Sequence, residues 1–189
     1  MSRAHDSAFV SRGGDKLAAA LDHFHLNPTG LVCADLGSHV GGFVDCLLSR
    51  GASRVYSVDT SYGTLAWELR RDARVVVIER QNAMHVELAE PVELVTIDVG
   101  WTPQVRILPN AARLLARAGR VITLIKPHYE APKDLLVGGV LAENRIDTVV
   151  RDVCGGITSS GWSIEGTVES PIRGHGGNVE LLALLHRVE

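Results

Sequence analysis

Aromatic side chains are scarce: three Phe, three Tyr and three Trp make up 5% of the 189 residues. A chain this poor in rings yet 46% hydrophobic fills its core with Val, Leu, Ala and Gly. That composition suits buried parallel strands flanked by helices. Cysteine is equally sparse. Cys33, Cys46 and Cys154 are odd in number, lie far apart and form no CxxC pair. They indicate neither a disulfide framework nor a zinc site and read as buried apolar residues. No apolar run approaches a membrane span, and residues 1–9 carry charge without the apolar stretch of a secretory signal, so a cytoplasmic location is expected. An excess of positive charge is missing too. The balance of 22 carboxylates against 19 Lys and Arg argues against a protein that coats nucleic acid. Two local basic clusters, Arg70, Arg71, Arg74 and Arg80 in one and Arg3, Arg12 and Lys16 in the other, read as solvated surface. GxSxG, Walker-type and HExxH sequences are absent, which removes hydrolase and kinase readings. Of the eight histidines, His23 and His25 lie two apart on a helix and face different directions, so no metal site is expected.

What is present is a repeating order. Leu17, Leu21 and Phe24 recur at helical spacing over Asp15–Phe24. Short apolar runs then alternate with helical stretches. The runs are Leu31–Leu36, Arg54–Val58, Val75–Ile78, Leu94–Val99 and Val121–Ile125; the stretches are Phe43–Arg50, Leu65–Arg71 and Val105–Ala118. This is βαβ logic and predicts a doubly wound parallel sheet. Pro109 is expected to kink the last of these helices or to mark its start. The Pro- and Gly-bearing segment Pro127–Gly139 reads as an exposed, mobile loop, on which His128 takes a surface role or, alternatively, approaches the site beside Lys126. A helix follows over Val140–Ser160, weakened by Gly155-Gly156. Trp162–Glu169 and Asn178–His186 look like strands that give the sheet an antiparallel end. One domain over 1–189 is expected.

The sharpest local feature is Asp35-Leu36-Gly37-Ser38-His39-Val40-Gly41-Gly42, where the first strand turns into a helix. Glycines there let the backbone turn tightly and approach a ligand. The spacing does not match the GxGxxG of dinucleotide enzymes. An acid before the loop suits a ligand with a cationic end, such as the ammonium of a methionine moiety, better than a diphosphate. Asp59 ends the second strand about 20 residues downstream, where a carboxylate can accept both hydroxyls of a ribose. Alternatively it caps a helix beginning near Tyr62. Asn82, just past the third strand, places an amide where it can read an adenine amino group. Gly37, Asp59, Asn82 and Asp98 all stand at strand ends on one edge of the sheet, the edge where open α/β sheets bind ligands.

Asp98 and Lys126 end the fourth and fifth strands, flanked by apolar residues, and a charge so placed is paired or functional. A lysine can act as the base when a methyl group moves from a sulfonium to a hydroxyl oxygen. Glu180 is a further carboxylate inside an apolar run. Trp67 reads as packing. Trp101 reads either as a base-stacking ring beside the site or as a plug of the core.

Taken in order, Ser11-Arg12-Gly13-Gly14-Asp15-Lys16-Leu17, Asp35-Leu36-Gly37 through Phe43, Leu65-Ala66-Trp67, Ile97-Asp98-Val99, Ile125-Lys126-Pro127 and Gly177-Asn178-Val179-Glu180 resemble the FtsJ-type ribose 2′-O-methyltransferases. Within that family the hemolysin A (TlyA-like) branch is the nearest match, and the resemblance runs from Phe9 to the end. It implies an α/β, Rossmann-like class I methyltransferase fold, with a mostly parallel seven-stranded sheet and an antiparallel C-terminal strand. It also implies a Lys-Asp-Lys-Glu tetrad at Lys16, Asp98, Lys126 and Glu180, with Lys126 nearest the proton. The implied cofactor is S-adenosyl-L-methionine, held by Asp35, Gly37, Ser38, Gly41, Gly42, Phe43, Asp59, Thr60, Asn82, Ala83 and Asp98. RNA, and ribosomal RNA in particular, is the implied substrate.

Three departures stand out. Members of the branch begin with a small RNA-binding module, whereas this chain starts almost directly at the catalytic part. Gly100-Trp101-Thr102-Pro103 replaces a serine–aromatic pair, and Gly176 replaces a basic residue. The leading expectation is therefore RNA ribose 2′-O-methylation. The alternatives are a small-molecule O-methyltransferase and a non-catalytic protein that binds S-adenosylmethionine or RNA.

Overall fold

The computed structural model describes residues 7–188. Arg3 of the second basic cluster, with most of the charged N-terminal stretch, lies outside the described residues. Among the described residues, nine strands and six α-helices follow one another: α1 (Gly13–His23), β1 (Val32–Leu36), α2 (Gly42–Ser49), β2 (Arg54–Asp59), α3 (Trp67–Arg71), β3 (Val75–Glu79), β4 (Val92–Ile97), α4 (Gln104–Leu114), β5 (Leu115–Ile125), α5 (Pro127–Glu130), β6 (Leu136–Val137), β7 (Val140–Leu141), α6 (Glu143–Ser159), β8 (Trp162–Glu169) and β9 (Leu181–Arg187). Seven strands form one sheet in the order β3-β2-β1-β4-β5-β9-β8. β1 to β5 pair in parallel, and β9 slots between β5 and β8, antiparallel to both. The chain is thus α/β with the expected mostly parallel sheet. Its winding reverses between β1 and β4, which opens a crevice at their carboxyl ends.

Period-two alternation along the central strands serves both faces at once. On β5, Val121 and Ile125 join the core under α4 and α6, while Ile122 and Leu124 join the core under α1 and α2. β9 divides likewise, Ala183 and Leu185 to one side and Leu182 and Leu184 to the other. Cys33 and Cys46 are buried as expected, and Cys154 is half-buried.

Several local expectations are corrected. The helix expected to reach Ala118 ends at Leu114, because residues from Leu115 onward pair with β4 across an irregular register between Val92 and Leu94. Pro109 stands inside α4 and does not mark its start. Gly155-Gly156 leaves α6 unbroken; a Cβ on Gly156 would come within 3.1 Å of Val105, so the missing side chain lets α6 pack closely on α4. Segment 127–139 is not a loose loop. It forms α5, a 3-10 turn and β6, the first strand of the β6–β7 hairpin. Asn178 latches that hairpin: its Oδ1 accepts the Leu141 N–H at 3.0 Å, and its Nδ2 donates to the Gly139 carbonyl at 3.0 Å. Trp67 does not pack inward. It is 69% exposed, with the Arg71 guanidinium 6.0 Å from its ring centroid, while Leu65 and Leu69 take the buried positions. Of the Arg70–Arg80 cluster, Arg70 pairs with Glu79 and Arg74 with Asp72, and Arg80 lies over the Tyr62 ring.

Candidate active site

The site grows from the ends of β1, β2, β4 and β5. After β1 the backbone turns sharply at Gly37, whose φ is +92°. A Cβ there would fall 2.4 Å from the Asp98 carbonyl oxygen, so only glycine lets the β1 turn lie against the β4 end. Gly41 also has a left-handed backbone, φ +103°, but a Cβ on it would strike Leu69 at 2.4 Å. Gly41 therefore serves the packing of α2 on α3 and, unlike Gly37 and Gly42, lines neither pocket described below.

Asp35, 1% exposed, lies beneath this turn. Its Oδ1 accepts the Thr96 hydroxyl at 2.7 Å, and its Oδ2 is buried without a hydrogen-bond partner among the described residues. Burial pushes its carboxyl up to about 8; Thr96 opposes this and the carboxylates of Asp98 and Asp59 add to it. Ser38 is held from behind by the Ser57 hydroxyl at 2.8 Å.

Two cavities meet here. The first, of about 440 Å³, is walled by Gly37, Asp59, Thr60, Asn82, Ala83 and Asp98 among others. Asp59 does not cap a helix near Tyr62, since α3 begins at Trp67. Its carboxylate instead accepts backbone N–H groups of Ser61 (2.7 Å) and His39 (2.8 Å). Burial works against its charge, but these donors outweigh it and hold the carboxyl below its ordinary value. Asn82 Oδ1 accepts the Met84 N–H at 2.9 Å, which fixes the amide at the pocket wall. His39, Gln81, Met84 and Thr102 also line this cavity. Sequence reasoning passed them over; only their nearness to strand ends could have flagged them.

The second cavity, of about 350 Å³, is lined by Asp35, Ser38, Gly42 and Phe43 on one side and by Lys16, Asp98, Lys126 and Glu180 on the other. It shares Gly37, His39, Asp98 and Lys126 with the first. Lys16 Nζ donates to Glu180 Oε2 at 2.5 Å across 164 residues of sequence. Lys126 Nζ lies 2.6 Å from Asp98 Oδ1, an ion pair whose approach is outside hydrogen-bond geometry. Glu180 is 4% exposed, and Gly174 leaves room for it, since a Cβ there would fall 2.1 Å from Glu180 Oε1. Arg12, Tyr129, Arg173 and His175 complete the walls.

His128 is not on the surface. It is 4% exposed, its ring centroid lies 4.1 Å from that of Tyr129, and its Nδ1 has no partner. Burial, followed by the cations of Lys126, His175 and Lys16, pushes its imidazole down to about 4. The folded state thus binds fewer protons at this group than an unfolded chain, whose histidine titrates near about 6.5. Stability contributed by neutral His128 is complete above that value and is lost as pH falls toward about 4. Comparing urea midpoints of wild type and His128→Gln from pH 7 to pH 4 should show wild type losing ground to the variant. Parallel curves would refute this. Trp101, 72% exposed, does not plug the core; its ring lies 4.2 Å from that of Tyr129 at the cavity mouth.

The donor set fits an adenosyl sulfonium: a carboxylate with a free oxygen below the glycine turn for an ammonium, and a second carboxylate at the β2 end for vicinal hydroxyls. Among the described residues, no three His, Cys, Asp or Glu gather as a metal site, and no helix is long and apolar enough to cross a membrane.

The chain is 37% identical to a 16S/23S rRNA (cytidine-2′-O)-methyltransferase, TlyA, of Mycobacterium tuberculosis over 93% of its own length and 67% of the relative's. It is 34% identical to hemolysin A of Brachyspira hyodysenteriae over 93% and 75%. It thus spans about two thirds of the length of its Bacillus subtilis and Mycobacterium relatives. The solved structure of a candidate hemolysin from Streptococcus thermophilus superposes with a TM-score of 0.94 at 35% identity, covering 99% of this chain and 70% of that one. An S-adenosylmethionine-dependent methyltransferase from Mesorhizobium loti, 18% identical, shares the fold with a TM-score of 0.67, over 93% and 100% of the two chains. Residues 9–187 match the FtsJ-like methyltransferase profile, and the chain belongs to that family.

Proposed function

We propose that this protein methylates the ribose 2′-hydroxyl of a nucleotide in ribosomal RNA, acting in the cytoplasm on structured RNA. One observation carries the reading: two lysines and two acids, scattered from residue 16 to residue 180, line a single cavity that opens into the nucleoside pocket through Gly37, Asp98 and Lys126. When bound, S-adenosylmethionine supplies an electrophilic methyl group on its sulfonium sulfur. Asp59 and Asn82 are suited to hold the nucleoside end, and Asp35 the ammonium. Lys126, once its own proton has left for solvent, accepts the hydroxyl proton at Nζ in line with the transfer. Asp98 holds Lys126 at the junction of the two cavities. Lys16 and Glu180, paired in the same cavity, orient the hydroxyl and its neighbours, and Arg12 and Arg173 offer positive charge to flanking phosphates.

The relatives named for cytidine-2′-O-methylation make a cytidine the expected target. Incubation of ribosomal subunits with the protein and labelled S-adenosylmethionine should place label in 2′-O-methylcytidine after nuclease digestion. With a net charge of −3, the protein is expected to make few phosphate contacts, and because the salt slope scales with their number, RNA affinity should fall only shallowly as salt rises. Label confined to low-mass products would replace this reading with a small-molecule O-methyltransferase.

A further inference from the structure

We infer that Gln104 and Glu130 are positioning residues that fix the Asp98–Lys126 pair, an inference that rests on the functional reading above. Asp98 begins a loop that reaches α4 at Gln104. That loop is under strain, because Trp101 holds a left-handed φ of +60°, a conformation a non-glycine residue keeps only when its surroundings impose it. A strained loop keeps its shape only if its far end is pinned.

Gln104 supplies the pin. It is 2% exposed, and three of its groups are engaged. Its backbone N–H, one of the unsatisfied donors of a helix start, donates to Glu130 Oε1 at 2.9 Å. Its Oε1 accepts the Thr123 hydroxyl at 2.6 Å, and its Nε2 donates to the Leu124 carbonyl at 3.4 Å. Thr123 and Leu124 lie just before Lys126, and Glu130 lies one helical turn after it. A single glutamine therefore grips the chain on both sides of Lys126 while closing the loop that leaves Asp98. The Glu130 carboxylate sits at the positive end of α4, where the helix dipole favours an anion. Neither residue lines the cavity that holds the four catalytic candidates. They act through the backbone.

The test compares Glu130→Ala, Glu130→Gln and Thr123→Val. A displacement of the pair by a fraction of an ångström to about 1 Å costs up to about a hundredfold in rate. Glu130→Ala should lower kcat on ribosomal subunits about ten- to a hundredfold. KM for the subunits and the affinity for S-adenosylhomocysteine should stay within about twofold of wild type. Glu130→Gln keeps an acceptor oxygen and should restore most of the rate. Thr123→Val, which removes one hydroxyl from the brace, should fall between. A kcat unchanged in Glu130→Ala, even with a lowered Tm, would overturn the inference, as would failure of Glu130→Gln to recover rate.

If wild type itself fails to methylate RNA, the functional reading is at fault, and amide hydrogen exchange judges the brace by itself. In Glu130→Ala, exchange should speed up in residues 98–103 and 126–130 and stay as in wild type on β1 and β2. Unchanged exchange at 98–103 would dismiss the brace.

Discussion

Lys126→Met should lower kcat by about a thousandfold, inside the roughly 10²–10⁴ range of a positioned general base, with S-adenosylhomocysteine affinity within about threefold of wild type. The substitution keeps the length and apolar stem of the side chain and removes only the amine. Lys126 is largely buried and stands 2.6 Å from Asp98 at the junction of the two cavities. Lys16 is already engaged with Glu180. Single-turnover rates and isothermal titration on the same preparation separate chemistry from binding. A variant that keeps its rate would dismiss Lys126 as the base and leave the tetrad a structural cluster.

Asp35→Asn should weaken S-adenosylmethionine affinity by about a hundredfold or more, the loss of roughly 3–5 kcal/mol that follows when one partner of a buried charge pair is removed. The amide can still accept the Thr96 hydroxyl, so the fold survives and the variant reports on the free oxygen. Proton linkage adds a second signature. Without ligand, burial holds the Asp35 carboxyl near 8, so it is mostly protonated at pH 7. Pairing with an ammonium requires the carboxylate, and binding must expel that proton. Affinity should therefore rise as pH goes from 6 toward 8, and titrations in buffers of different ionisation enthalpy should report proton release. Asp35→Asn should abolish both effects. Binding that is independent of pH in wild type would remove Asp35 from the ammonium site.

Much of the site was readable from residues because the elements that carry it are regular. Alternating apolar runs located the strand ends, and Gly37, Asp59, Asn82 and Asp98 follow directly from that. Glu180 stood out as a carboxylate inside an apolar run, while Lys16 was readable through its motif company, and nothing local to either announces a partner 164 residues away. The segment after Lys126 misled for a physical reason. Prolines and glycines signal a loose chain when their backbone partners are local, whereas here the partner is Asn178, some forty residues on, which orders the segment; His128 goes inside while 132–134 and 137–139 stay exposed. Trp67 misled because α3 has only five residues, too few for periodicity to say which face is inward. Gln104 and Glu130 were invisible because their partners are backbone groups on other elements, and no spacing encodes those.

β9 lies between β5 and β8, and Glu180 is the residue that leads into it. The strand that fills this slot follows β8 in the chain, so during synthesis β5 and β8 both emerge before the strand that joins them, and the sheet stays open between them until residues 181–187 are made. Lys16, on α1, meets its counter-ion only after 164 further positions. A polypeptide cut short before residue 180 would lack both the acid and the strand that joins β5 to β8.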